Sequence, residues 1–177
     1  MKAIVIALIL ILLASCSSDD KNIDALKSKI EKKEEFIKSL SNDLAPSQRI
    51  PVSERNELIE LLLEFYHEFP QDEFAPVTLD KIHMIYSSTR EYQKSADYGD
   101  TLLDNYPNYA NRALILESMA VTYDLFIQPR DTIKVRKYNE ILLEENPDFS
   151  REKIEGIRFK LNNLSLSMEE MILKVNE

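Results

Sequence analysis

The sequence predicts an all-α fold of antiparallel helical hairpins, with an extra amphipathic helix at the N-terminal end and a short helix at the C-terminal end. Three observations carry this. Only two glycines occur in 177 residues, so strands joined by glycine turns would be hard to supply, whereas Leu, Ile, Glu and Lys are abundant. Apolar residues recur at steps of three and four, the spacing of one helix face. Three segments end alike, "FYHEFPQD", "LLDNYPNY" and "LLEENPDF", with prolines at 70, 107 and 147, spaced 37 and 40 residues apart. Self-similarity at a period of about 30 to 45 residues, each unit a helical hairpin, marks an α-solenoid.

The first element is "MKAIVIALILILLAS", one lysine followed by an apolar run from Ala3 to Ala14. A spanning helix needs about 20 apolar residues, so this run is too short, and it reads as a secretory leader. The stretch "LASC", Leu13 to Cys16, resembles the lipobox of bacterial lipoproteins. That resemblance implies cleavage before Cys16 by signal peptidase II, a diacylglycerol on its sulfur and an acyl chain on its new amino group. Several acyl chains anchor a protein stably without a spanning helix. The expected organisation is a signal peptide over 1–15, a lipidated tether over 16–22, and one helical domain over 23–177 with repeats at about 71–107 and 108–147.

Without Lys2 the mature chain carries 21 basic against 31 acidic residues, a net charge of −10. Nucleic acid wants a basic face that displaces counterions, and anionic headgroups attract basic segments, so both are disfavoured as electrostatic partners. Cys16 is the only cysteine, which excludes an internal disulfide.

Ile23, Leu26, Ile30, Ile37, Leu40 and Leu44 then form an amphipathic stripe that Lys33 interrupts. Two heptads are too few for a free-standing coiled coil, so the stripe is expected to pack on the body of the protein, with an oligomer seam as the alternative. "APSQRIPVS", with two prolines, is a loop, and Ser53 is the expected N-cap of the second helix, which stops at "FPQDE". Further helices are expected at about 74–88, 92–105, 110–126, 132–145 and 151–162. Ser167 with Glu170 forms a capping box that opens a last helix over 168–175.

Aligned on their prolines, Leu79 falls on Leu116 and Tyr86 on Tyr123 at an offset of 37. The second helices align at 40, so three residues are inserted near "LFIQPRD", in the turn within a hairpin, where added length costs little. This pattern resembles the tetratricopeptide repeat. Leu79, Ile82 and Tyr86 match the large and aromatic positions of its helix A, and Ser95 and Leu102 match the small and apolar positions of helix B. His83 stands where that family prefers a small residue, as Ala120 does in the next repeat. Gly99 and Asn139 replace the helix B aromatic, with Tyr98 and Tyr138 one position earlier, and Val135 takes a small position. The junctions "EFYHEFPQDEFAPVTLDKI" and "LLDNYPNYANRALILESMAVTY" are similar to those of BamD-type outer-membrane lipoproteins. The whole chain resembles small tetratricopeptide lipoproteins of Bacteroidetes.

Enzymatic machinery is not legible. His67 and His83 are the only histidines and lie on different helices, with no Cys/His cluster for a metal. An acylated Cys16 leaves no thiol, and two isolated glycines make no phosphate loop. Adjacent carboxylates such as Glu144-Glu145 point about 100° apart on a helix, as on a solvated face. No catalytic residue, no metal site and no cofactor other than the lipid on Cys16 is expected. What the resemblance implies is a membrane-anchored scaffold that binds a protein or peptide partner. Its candidate contacts are Asp80, His83, Ser87 and Arg90 in one repeat and Arg112, Glu117 and Thr122 in the next. The alternatives are a structural subunit of an outer-membrane assembly or secretion complex, and a surface lipoprotein for a small ligand or glycan. Ser17, after the cysteine, favours the outer membrane in the lipoprotein pattern, and "SSDDK" resembles a surface-export tag. The expected location is the cell envelope, on the periplasmic or the exposed side.

Overall fold

The computed structural model describes residues 2–45 and 48–175, with the side chains of 2–20, 168, 172 and 175 outside the description. Among the described residues the chain is all-helical, without a strand. The elements are α1 (Lys2–Asp43), α2 (Val52–Glu68), α3 (Ala75–Ser88), α4 (Tyr92–Asn105), α5 (Arg112–Val121), a π-helical turn π1 (Thr122–Phe126), α6 (Thr132–Glu145), α7 (Arg151–Asn162) and α8 (Met168–Val175). The chain divides into two compact units, Met1–Lys81 and Ile82–Glu177, with the boundary inside α3.

In the first unit α1 packs on α2. The backbone of α1 is helical through 16–22, where a tether was expected. Neither Gly nor Pro occurs between Ala3 and Asp43, so nothing in the sequence breaks the helix. The expected modification of Cys16 falls on a side chain outside the described residues. No helix among the described residues is long and apolar enough to cross a membrane. The stripe of α1 buries Leu26 and Ile30 against a core that includes Leu58, Ile59, Leu62 and Phe65. Lys33, the residue that interrupts the stripe, donates to Glu54 (2.6 Å) and to Glu57 of α2. Phe74 meets Phe65 edge to face, with centroids 5.1 Å apart, and Lys27 reaches Asp72 at 2.9 Å over the same two rings. Ser53 is not the cap of α2: the helix starts at Val52, directly after Pro51, and no side chain caps it. The ring of Pro51 holds φ at −54°, close to the helical value, so the helix can begin two residues early.

The three proline junctions share one backbone geometry. Phe69, Tyr106 and Asn146, each just before its proline, take φ/ψ of −129°/55°, −129°/69° and −128°/65°. A following proline excludes the α conformation from the residue before it, so each helix ends two residues ahead of its proline. In each case the carbonyl of that residue accepts from the N–H three positions on, at 3.0, 3.1 and 3.3 Å, which turns the chain into the next helix.

In the second unit the apolar core includes Ile82, Leu102, Leu116, Met119, Val135 and Leu142. Helix α5 packs most extensively on α6 and also contacts α4, and α6 contacts α7. The expected helix over 110–126 starts at Arg112 and ends in π1, where Ile127 N–H donates to Thr122 O at 3.0 Å, a five-residue step. A π turn accommodates an extra residue within a helix. It sits at the three-residue insertion and absorbs part of it. Asp131 caps α6 through the N–H groups of Ile133 and Lys134, and Ser150 caps α7. At α8 the capping box forms in both directions: Ser167 N–H donates to Glu170 Oε2 at 2.7 Å and Glu170 N–H to Ser167 Oγ at 3.2 Å.

Candidate functional site

Helices of the second unit carry the same side-chain motif twice. Tyr86 of α3 stacks on Tyr98 of α4, with centroids 5.7 Å apart and planes 9° apart, and Lys94 Nζ lies 5.1 Å from the Tyr86 ring centre. Tyr123 of π1 stacks on Tyr138 of α6 at 6.0 Å and 22°, and Lys134 Nζ lies 5.3 Å from the Tyr123 ring. Tyr123 follows Tyr86 by 37 residues; Tyr138 and Lys134 follow Tyr98 and Lys94 by 40. Register-equivalent residues therefore make equivalent aromatic and cation–π contacts, each worth about 0.5 to 1.5 kcal/mol beyond area burial.

The second copy is fastened by Asp100, which accepts from Tyr123 Oη (2.9 Å), Lys134 Nζ (2.9 Å) and Tyr138 Oη. Burial, then the hydrogen bond to Asp100, pushes the Tyr123 phenol well above its ordinary range. Tyr98 is raised too, by burial first and then by Tyr86.

The seven candidate contact residues separate. His83 has no exposure at all: Nδ1 lies 2.9 Å from Ser95 O and Nε2 2.8 Å from Ser118 Oγ. Ser95 Oγ also lies 2.9 Å from Nδ1, so both ring nitrogens have hydrogen-bond partners. His83 is thus a satisfied core residue and no contact site. Gly99 explains its room, because a Cβ there would lie 3.1 Å from His83 Nδ1 and collide with Met119 Sδ. Thr122 is 3 % exposed and leaves the set for the same reason. Arg112 is a clamp, with Nε and Nη2 on Glu145 at 2.8 and 3.1 Å and Nη1 on Leu103 O at 2.8 Å. Glu117 pairs with Lys153 of α7. Asp80, in the first unit, and Ser87 are half-buried. Arg90 alone is well exposed, and its backbone has φ 65°.

What the structure exposes instead is apolar. Met84, Leu114, Val121, Leu125 and Phe126 are between 38 and 63 % exposed. Met84 and Val121 lie 37 residues apart, the spacing of Pro70 and Pro107. Phe126 stacks on Tyr92, with centroids 4.4 Å apart and planes 11° apart. The pair lines an open groove of about 430 Å³ with Arg90, Lys94, Ile127 and Gln128. Sequence reasoning missed these residues because it looked for polar groups at family positions. The available signal was the insertion "LFIQPRD", which places Leu125 and Phe126 where a helix is interrupted. Among the described residues no group of three or more His, Cys, Asp or Glu side chains could hold a metal ion. Comparison with known protein families, with curated proteins and with solved structures finds no match to this chain.

Proposed function

We propose that the chain is a lipid-anchored, non-enzymatic scaffold of the bacterial cell envelope whose second unit is built of tetratricopeptide-like hairpins and binds a protein partner. The observation that carries this reading is the duplicated Tyr–Tyr–Lys contact between repeat-equivalent residues, together with exposed apolar residues at the equivalent positions Met84 and Val121. A scaffold repeats its packing and leaves an apolar surface to be covered. The lipobox-like "LASC" supplies the anchor, and the repeated junctions support the hairpin reading.

A photo-crosslinking amino acid placed at Leu114 or Val121 in native membranes is expected to give one discrete adduct, with none from the exposed polar position Lys137. A smear, or no adduct at any of the apolar positions, overturns the scaffold reading. A second reading, a surface protein for a small ligand or glycan, draws on the groove beside Phe126. It expects ligand protection of Phe126 and Tyr92 and no protein adduct.

A further inference from the structure

A second groove lies within the first unit, between α1 and α2. Its volume is about 420 Å³, and Lys29, Lys32, Lys33, Phe36, Glu57 and Leu61 line it. The three lysines stand at i, i+3 and i+4, on one face of α1. Like charges at this spacing destabilise a helix unless something neutralises them. Lys33 is neutralised within the chain by Glu54 and Glu57, which hold its ammonium above the ordinary lysine range. Lys29 and Lys32 are exposed and have no ion pair among the described residues. Beside them Phe36 is 47 % exposed, with Leu61 half-buried at the same groove.

A chain with net charge −9 thus carries, beside the Lys33–Glu54–Glu57 cluster, two further ammonium groups, Lys29 and Lys32, at a groove that also presents Phe36 and Leu61. The complement is an anion joined to an apolar body. Net charge argued against anionic lipid, but it is a sum over the chain and does not describe this face. Resting on the envelope reading above, Cys16 would hold α1 at the membrane. Lys29 lies thirteen residues further along the same helix, about 20 Å at 1.5 Å per residue. The geometry points to an anionic phospholipid as the occupant, its phosphate between Lys29 and Lys32 and its glycerol and upper acyl carbons on Phe36 and Leu61.

The test uses the full chain carrying Cys16→Ser, so that acylation cannot contribute. Partition is measured into vesicles of phosphatidylcholine alone and of phosphatidylcholine with phosphatidylglycerol. The chain is expected to prefer the anionic vesicles. Lys29→Gln and Lys32→Gln should each weaken that preference roughly fivefold, the effect of one lysine near an anionic surface, and Lys137→Gln should leave it unchanged. In a second arm, soluble short-chain phosphatidylglycerol should shift the Phe36 and Leu61 resonances, and Phe36→Ala should abolish the response. Equal partition into both vesicles overturns the proposal. So does an equal response to inorganic phosphate that ignores Phe36, which would make the occupant a free anion. Labelled palmitate fed to cells reports on Cys16 separately: its failure to label the chain overturns the anchor and leaves the vesicle result to stand by itself.

Discussion

Arg90 is held at φ 65°, in the left-handed region that glycine enters freely and other residues enter at a cost of about 1 to 2 kcal/mol. It sits there because α3 closes with paired bonds, Glu91 N–H to Tyr86 O at 2.9 Å and Arg90 N–H to Ser87 O at 3.1 Å. These two bonds satisfy the last carbonyls only if the residue after the C-cap is left-handed. The side chain lines the groove beside Tyr92 and Phe126. Strain kept at an exposed position is the pattern of a residue retained for contact. Arg90→Gly is therefore expected to stabilise the chain by about 0.5 to 1 kcal/mol, the relief of strain less the added freedom of the unfolded glycine. Urea unfolding measures this, and a loss of stability would show that the guanidinium holds the turn. At this scale the sequence was least legible. The burial of His83 and Thr122 is set by tertiary packing: the serines that satisfy His83, Ser95 and Ser118, come from other helices.

Elements were far more legible, because helices end where chemistry in the chain ends them. Helices α4, α6, α7 and α8 fall on the boundaries read from proline, capping and periodicity, and α3 begins one residue later than expected. The π turn itself was not legible, since the side chains that hold it come from other elements. Asp124 lies within π1 with its side chain 1 % exposed, and it accepts from Arg130 Nε at 2.7 Å and Lys160 Nζ at 2.8 Å. Arg130 Nη1 then donates to Leu164 O and Leu166 O at 2.9 and 2.7 Å. One buried carboxylate thus ties π1, the following loop, α7 and the turn before α8. Asp124→Ala would leave Arg130 and Lys160 without the carboxylate they share. The expected cost is about 2 to 4 kcal/mol, below that of a fully enclosed pair because both cations keep partial access to water. Asp124→Asn should lose less, keeping one acceptor. Thermal unfolding decides between this and a surface role, for which Asp124→Ala would change stability by less than about 0.5 kcal/mol.

Across the whole molecule the titrating groups set opposite limits on stability. Lys33 is raised above 10.5 by the hydrogen bonds it donates to Glu54 and Glu57, and Tyr98 and Tyr123 are raised above 10.0, chiefly by burial. For all three the folded chain holds its proton more tightly than the unfolded chain does. Their contribution is complete below the unfolded values and is lost as pH rises through the folded ones. Glu170 runs the other way: the Ser167 N–H, then its hydroxyl, lower it below 4.5, so its contribution is present above that value and disappears in acid. The net charge of −9 adds self-repulsion that grows with pH as tyrosine and lysine lose protons. Stability is therefore expected to be level across neutral pH and to decline above about pH 10, where the unfolded tyrosines ionise first. In Tyr123→Phe the phenol that resists ionisation is gone, so the alkaline decline should be shallower, at the cost of one hydrogen bond to Asp100 at neutral pH. Urea midpoints between pH 7 and pH 11 for the two chains measure both effects. Parallel curves would assign the alkaline loss to charge repulsion over the whole chain and remove Tyr123 as its cause.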